Sequence, residues 1–214
     1  MNSILYSSTR SPHCLKAAMF LHEKGIEFKR VEIDLPKKEQ KTPEYLRINP
    51  LGLVPAYEDD WGIHADSLLI MHYLEGRYPT PALFPKEPQA YKEGLQWIEQ
   101  SSGPYRDVSH HLYWQLIEPP AAGTHWQRVS ELKAQGMELL ETLDMRLQKS
   151  EYVMGSFGVV DIALFPWVQG YRRFDLPPKG EFAAVVDWVE RIMQRPSFKA
   201  NYQQPGRPFF KEVR

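Results

Sequence analysis

A chain of 214 residues is long enough for one large domain or two small ones, each with a real core. Hydrophobic residues make up 43% and charged residues 25%, which is too apolar for a disordered chain, while 26 Lys and Arg against 27 Asp and Glu leave a net charge of -1. So balanced a charge gives no global field to gather nucleic acid or anionic lipid. No apolar run reaches the roughly 18 residues of a membrane span, so neither partner is expected. The lone cysteine, Cys14, excludes an internal disulfide and a cysteine-based zinc site, and no metal is expected. Met1-Asn2-Ser3-Ile4-Leu5 lacks the basic start and long apolar stretch of a secretion signal, and the expected compartment is the cytoplasm.

Ile4-Leu5-Tyr6 reads as a short buried strand. From Pro12 the period changes, because Cys14, Ala17, Ala18 and Leu21 stand at i, i+3, i+4, i+7 on one helical face. Pro12 suits the first turn, where its missing N–H is not needed, and Gly25 suits the stop. Phe28 to Ile33 alternates as a second strand, and a βαβ unit implies parallel pairing with a right-handed connection. Leu53-Val54-Pro55-Ala56-Tyr57 and Ile63-His64-Ala65 flank Asp59-Asp60-Trp61-Gly62, a hairpin signal. Asp66-Ser67 then precedes Leu69, Ile70, Tyr73 and Leu74 at helical spacing, with a short polar residue placed to cap.

Pro79, Pro81, Pro85 and Pro88 fall within ten residues and exclude a helix interior there, so a linker is expected over 79–87. Beyond it the pattern is helical. Ile98, Ser102, Tyr105, Val108, Leu112 and Leu116 trace one stripe, and Leu132, Leu139, Leu140, Leu143 and Leu147 a second. A third runs through Phe182, Val185, Val186, Val189, Ile192 and Met193 and stops before Pro196. Pro166 lies inside the apolar run from Val159 to Gln169, which predicts a kink or a fresh helix start. The expected architecture is an α/β thioredoxin-like domain (βαβ-ββα) over 1–78, the linker, and an all-α domain over 88–214.

Four segments now resemble one family, the cytosolic glutathione transferases of serine-type, theta-like kind. Tyr6-Ser7-Ser8-Thr9-Arg10-Ser11-Pro12-His13-Cys14 resembles its loop from the first strand into the first helix. Asn49-Pro50-Leu51-Gly52-Leu53-Val54-Pro55-Ala56 resembles its N-P-x-G-x-V-P segment, with a cis proline. Asp66-Ser67 resembles its acidic-or-amide residue followed by serine, and Gly155 to Asp161 resembles its G-x-F-S-x-A-D capping segment. The resemblance implies glutathione as co-substrate, a small hydrophobic electrophile docked against the helical domain, a homodimer and a role in detoxification.

The physical chemistry of each segment is readable. A cis Val54-Pro55 bond must be held by its fold, and it would let a peptide-like ligand pair with the Val54 backbone. Ser67 at a helix N-terminus suits a carboxylate and Asp66 an ammonium, groups that occur together on the γ-glutamyl end of glutathione; the plain alternative is a helix cap. A thiol of pKa near 8.5 needs about 2.7 kcal/mol to drop by roughly 2 units, within reach of one good hydrogen bond plus a helix terminus. Ser11, just before Pro12, stands where that terminus points. By resemblance it matches the catalytic serine, and also the position of the cysteine in omega-type relatives. The tyrosine-type position falls on Ser7, and Ser7 and Ser8 remain alternatives to Ser11.

The pattern is not complete. Leu53 stands where many serine-type members carry a basic or glutamine residue. Gln40 and Lys41 stand at the loop position where the resembled family often carries a histidine or lysine for the glycyl carboxylate, Lys41 being either that partner or a solvated loop lysine. Gly158 replaces a Ser or Thr cap while Asp161 is kept. Cys14 shares the apolar helical stripe and is expected in the core, where a thiol is inert. His110 and His111 are adjacent, about 100° apart on a helix, and do not chelate together. Trp97, Tyr105, Tyr113 and Trp114 are candidates to line an acceptor pocket, two of the four being expected to do so rather than fill core. The contending function is a non-catalytic binding protein on the same fold. Glu75-Gly76-Arg77-Tyr78-Pro79 and Arg195-Pro196-Ser197-Phe198 resemble the stringent starvation protein A relatives, which contact transcription machinery.

Overall fold

In the computed structural model the described residues are 3–202. They divide into two compact units, one made of the residues up to Leu83 together with those from Arg195, the other of Phe84–Gln194. Met1 and Asn2 of the expected first domain, and 203–214 of the expected second, lie outside the described residues.

The first unit follows the expected order. Strand β1 (Ile4–Ser7) leads into helix α1 (Pro12–Glu23), then β2 (Lys29–Glu32), a short helix α2 (Pro43–Leu46), the hairpin β3 (Ala56–Asp59) and β4 (Gly62–Ala65), and helix α3 (Ser67–Arg77). The sheet order is β2-β1-β3-β4, with β1 and β2 parallel and the other two pairs antiparallel. The first hairpin strand is shorter than the sequence pattern implies, because β3 begins only at Ala56, after the cis Val54–Pro55 bond.

Helix α1 departs from the one-face reading. Every residue from Cys14 to Leu21 is buried, since α3 and the last described helix both pack on α1. That last helix, α9 (Pro196–Tyr202), corrects the expected boundary at 88–214, for it belongs to the first unit. Arg195 donates through Nε and Nη2 to both Glu23 carboxylate oxygens, at 2.8 and 2.7 Å, and the Ser197 hydroxyl donates to the same carboxylate. The expected linker 79–87 is likewise cut at Leu83. The buried Lys24 ammonium donates to the carbonyls of Tyr78 and Pro81 and pairs with Glu75, whose carboxylate also takes the Leu83 N–H.

The second unit is helical throughout its described residues. Helix α4 (Pro88–Gln100) passes through a π-helical turn at Ser101–Tyr105 into α5 (Arg106–Leu116), and α6 (Trp126–Leu147), α7 (Val159–Tyr171) and α8 (Ala183–Met193) follow. Pro104 has no N–H for the helical ladder, and the widened turn accommodates it. The turn shifts the stripe, so that Ser101 rather than Ser102 is buried, its hydroxyl donating to the Ile98 carbonyl. Helix α7 runs through Pro166 without restarting. The capping segment is tied by Asp161, which accepts from the Gly158 N–H at 3.0 Å, the Val153 N–H at 3.1 Å and Trp188 Nε1 at 2.8 Å. Burial pushes its carboxyl up to about 6, against those hydrogen bonds.

Candidate active site

Sheet register brings three of the four singled-out segments to one place. Tyr6 pairs with Ala56, and Ala56 pairs with Ala65. The chain leaving β1 toward Ser11, the chain arriving at Ala56 through Leu53-Val54-Pro55, and the Asp66-Ser67 step after β4 therefore meet at a single end of the sheet. The N-termini of α1 and α3 open at that same end.

The loop into α1 is held from β2. Glu32 lies opposite Ser7 in the parallel ladder, and its carboxylate accepts from the Thr9 N–H at 2.8 Å, the Thr9 hydroxyl at 3.2 Å and, at 3.4 Å, the Ser8 hydroxyl. Ser11 is the N-cap of α1 and its Oγ accepts the Cys14 N–H at 3.3 Å. Ser7 is fully buried, with an Oγ that has no hydrogen-bond partner among the described residues, and Ser8 is buried too. Ser11 is the partly exposed serine of the three. Cys14 is buried as expected. Its sulfur accepts from the Ser8 N–H at 3.2 Å, and burial pushes the thiol up to about 11, against the opposing effect of the neighbouring Ser11 and Ser8. Tyr6 donates to Glu58 at 2.7 Å and is raised to about 12, chiefly by burial.

Helix α3 starts under backbone strain. Asp66 has φ 74°, in the left-handed half of the map, and its Oδ1 accepts from the Leu68 N–H at 2.8 Å and the Leu69 N–H at 3.2 Å. Its carboxylate is exposed, whereas Ser67 is buried, with its Oγ 3.3 Å from His13 Nδ1 in the first turn of α1. That contact joins the two helix starts across 54 positions of sequence.

Gln40 and Lys41 pack on the 51–53 turn. Lys41 Nζ donates to the Leu51 carbonyl at 3.1 Å, and the Gln40 carbonyl lies 2.7 Å from where a Cβ on Gly52 would stand. With φ +60° as well, position 52 admits only glycine. Leu53 is exposed at its side chain and fixed at its carbonyl, which accepts from Tyr45 Oη and Asn49 Nδ2, both at 2.7 Å. Sequence reasoning missed these anchors: Glu32, Tyr45 and the His13 contact. A signal existed for Glu32, since it ends the strand that pairs beside Ser7.

The aromatic candidates belong to the helical unit. Tyr105 is core, its hydroxyl donating to the Leu139 carbonyl at 2.6 Å. Trp114 is exposed and donates to His110 Nε2, Trp97 is half-buried, and Tyr113 donates to Glu118. Among the described residues no three His, Cys, Asp or Glu side chains converge as a metal would require, and no helix is long and apolar enough to cross a membrane.

Comparison with known proteins agrees with this fold. The family model "Glutathione S-transferase, N-terminal domain" matches residues 5–82, and "Glutathione S-transferase, C-terminal domain" matches 105–196. Glutathione S-transferase 3 of Zea mays is 31% identical over 206 residues, covering 91% of this chain and 90% of the relative. The disulfide-bond oxidoreductase YfcG of Escherichia coli is 27% identical, with 92% of each covered. Among solved structures, the theta class glutathione S-transferase of Xanthomonas axonopodis pv. citri with glutathione bound superposes with a TM-score of 0.81 at 26% identity, covering 94% of this chain and 97% of that one.

Proposed function

Because this chain belongs to the glutathione S-transferase family, we propose that it binds glutathione at the described sheet end and transfers its thiolate to a small hydrophobic electrophile. The observation that carries the reading is the meeting of two helix N-termini, one capped by Ser11 and the other by Asp66, beside the 53–55 segment. In this reading Ser11 keeps its oxygen on the Cys14 N–H and donates its proton to the glutathione sulfur. Together with the positive end of α1, that favours thiolate near neutral pH. Val54 offers its backbone to the cysteinyl unit, Asp66 faces the γ-glutamyl ammonium and Ser67 the carboxylate, and Lys41 with Gln40 meets the glycyl end. No enzyme nucleophile is needed, which fits a sole cysteine that is buried and protonated. Activation and proximity supply the rate. Family likeness supports a cytoplasmic homodimer acting in detoxification.

One observation favours a second acceptor class. The similarity to the Escherichia coli oxidoreductase makes a disulfide a reasonable electrophile for the same thiolate, attacking one sulfur and releasing the other as a thiol. The test is retention on immobilised glutathione, followed by turnover with an activated aryl halide and, separately, with a small disulfide. Flow-through from the column would overturn the glutathione reading and restore the non-catalytic alternative. Turnover of the disulfide alone would select the second acceptor class.

A further inference from the structure

On the proposed reading of Ser67, what its hydroxyl can offer a ligand depends on its neighbour His13. The residue is buried, and its Oγ lies 3.3 Å from His13 Nδ1. A hydroxyl has one proton and two lone pairs, while an imidazole nitrogen either donates or accepts according to its tautomer. If Nδ1 is bare, Ser67 spends its hydroxyl proton on His13, and its Oγ shows a carboxylate only lone pairs. If Nδ1 carries the proton, His13 donates, and Ser67 is free to donate onward. Asp66, one residue earlier, cannot substitute as a donor, because its carboxylate is already an acceptor for the Leu68 and Leu69 amides.

The geometry points to His13 as a positioning residue for the ligand's carboxylate: it donates from Nδ1 to Ser67, so that Ser67 Oγ–H is aimed at the γ-glutamyl carboxylate. The inference rests on the proposed reading of Ser67 and adds to it a partner that the sequence pattern did not single out. It also gives the first turn of α1 two tasks, with Ser11 at the thiol and His13, two residues on, reaching through α3 to the other end of the same ligand.

Two variants separate this role from packing. His13→Asn places an amide N–H near the position of Nδ1 and keeps a donor, whereas His13→Leu keeps bulk and removes it. Calorimetric titration is made with glutathione and with its analogue lacking the γ-glutamyl α-carboxylate, beside a melting curve for each protein. Wild type should prefer glutathione by about ten-fold or more, His13→Leu should lose most of that preference, and His13→Asn should regain it to within about three-fold. In turnover, KM for glutathione should rise in His13→Leu far more than kcat falls. A wild type that does not distinguish the two ligands would overturn the reading of Ser67 and this inference with it. Preference retained in a folded His13→Leu, or a loss that falls on kcat and is the same in both variants, would overturn the inference alone.

Discussion

Asp66→Asn tests whether the start of α3 is a binding feature or only a cap. The carboxylate Oδ1 serves two amide donors, at 2.8 and 3.2 Å, and an asparagine Oδ1 can serve both equally. Asparagine is also, with aspartate, the non-glycine residue most tolerant of the φ 74° found there. Stability should therefore change by less than about 0.5 kcal/mol, a shift in Tm of under roughly 2 °C for a chain of this size. Asp66→Ala, which loses the cap as well, should cost about 1 kcal/mol or more. Binding should respond differently. Asp66→Asn removes the charge facing the ligand ammonium, and a charge-assisted hydrogen bond is worth about 1.5–3 kcal/mol. Asp66 is exposed, so solvent screening places the loss toward the lower bound, near ten-fold in Kd, and raising the salt should narrow the gap. The assay is calorimetric titration of glutathione at two ionic strengths beside a thermal melt. Wild-type affinity in a normally stable Asp66→Asn would refute the electrostatic role and leave a cap.

Ser11→Ala should slow conjugation by about ten- to a thousand-fold with little change in glutathione affinity, and, as a lost N-cap, should lower stability by about 0.5–2 kcal/mol. Ser7→Ala should be neutral or stabilising and keep its turnover, because the buried Ser7 hydroxyl has no partner to lose among the described residues; collapse of activity there would move the role along the loop. Cys14 should resist an aromatic disulfide reagent at pH 8 in the native protein and titrate as one thiol in denaturant, since burial holds it up to about 11; rapid native reaction would contradict its place in the core. Asp161→Ala leaves three buried donors unpaired and should cost about 3 kcal/mol or more. Because the folded carboxyl sits at about 6, above its value in the unfolded chain, its contribution is full below about pH 4 and is lost as pH rises through 6; Asp161→Asn should flatten that part of the stability profile, and an unchanged slope by denaturant melts would refute the raised value.

What could be read from the sequence was local. The change from strand to helix at Pro12, the hairpin around Asp60-Trp61, and the cap at Asp66 each depend on residues within one or two turns, and the structure keeps all of them. What stayed hidden depends on contacts between distant positions. Helix α9 follows directly on the third helical stripe in sequence, and only contacts with distant positions, the fork of Arg195 on Glu23 172 positions away among them, return it to the first unit. Helix α1 shows one apolar face in sequence yet is buried all round, because a helix covered from two sides buries even Lys16. The π-turn at Pro104 was masked by periodicity itself, as a stripe counted in steps of three and four absorbs one extra residue without breaking. The same division runs through the site. Ser11 before Pro12 and Asp66-Ser67 before α3 each stand at a readable helix start, so the sequence marks where a ligand's two ends would lie. His13 carries no such mark, because a histidine after Pro12 is unremarkable until β4 and α3 bring Ser67 to within 3.3 Å of its ring. Helix termini can thus be located from sequence, while the proton arrangement that makes a terminus selective is set by the partner the fold delivers.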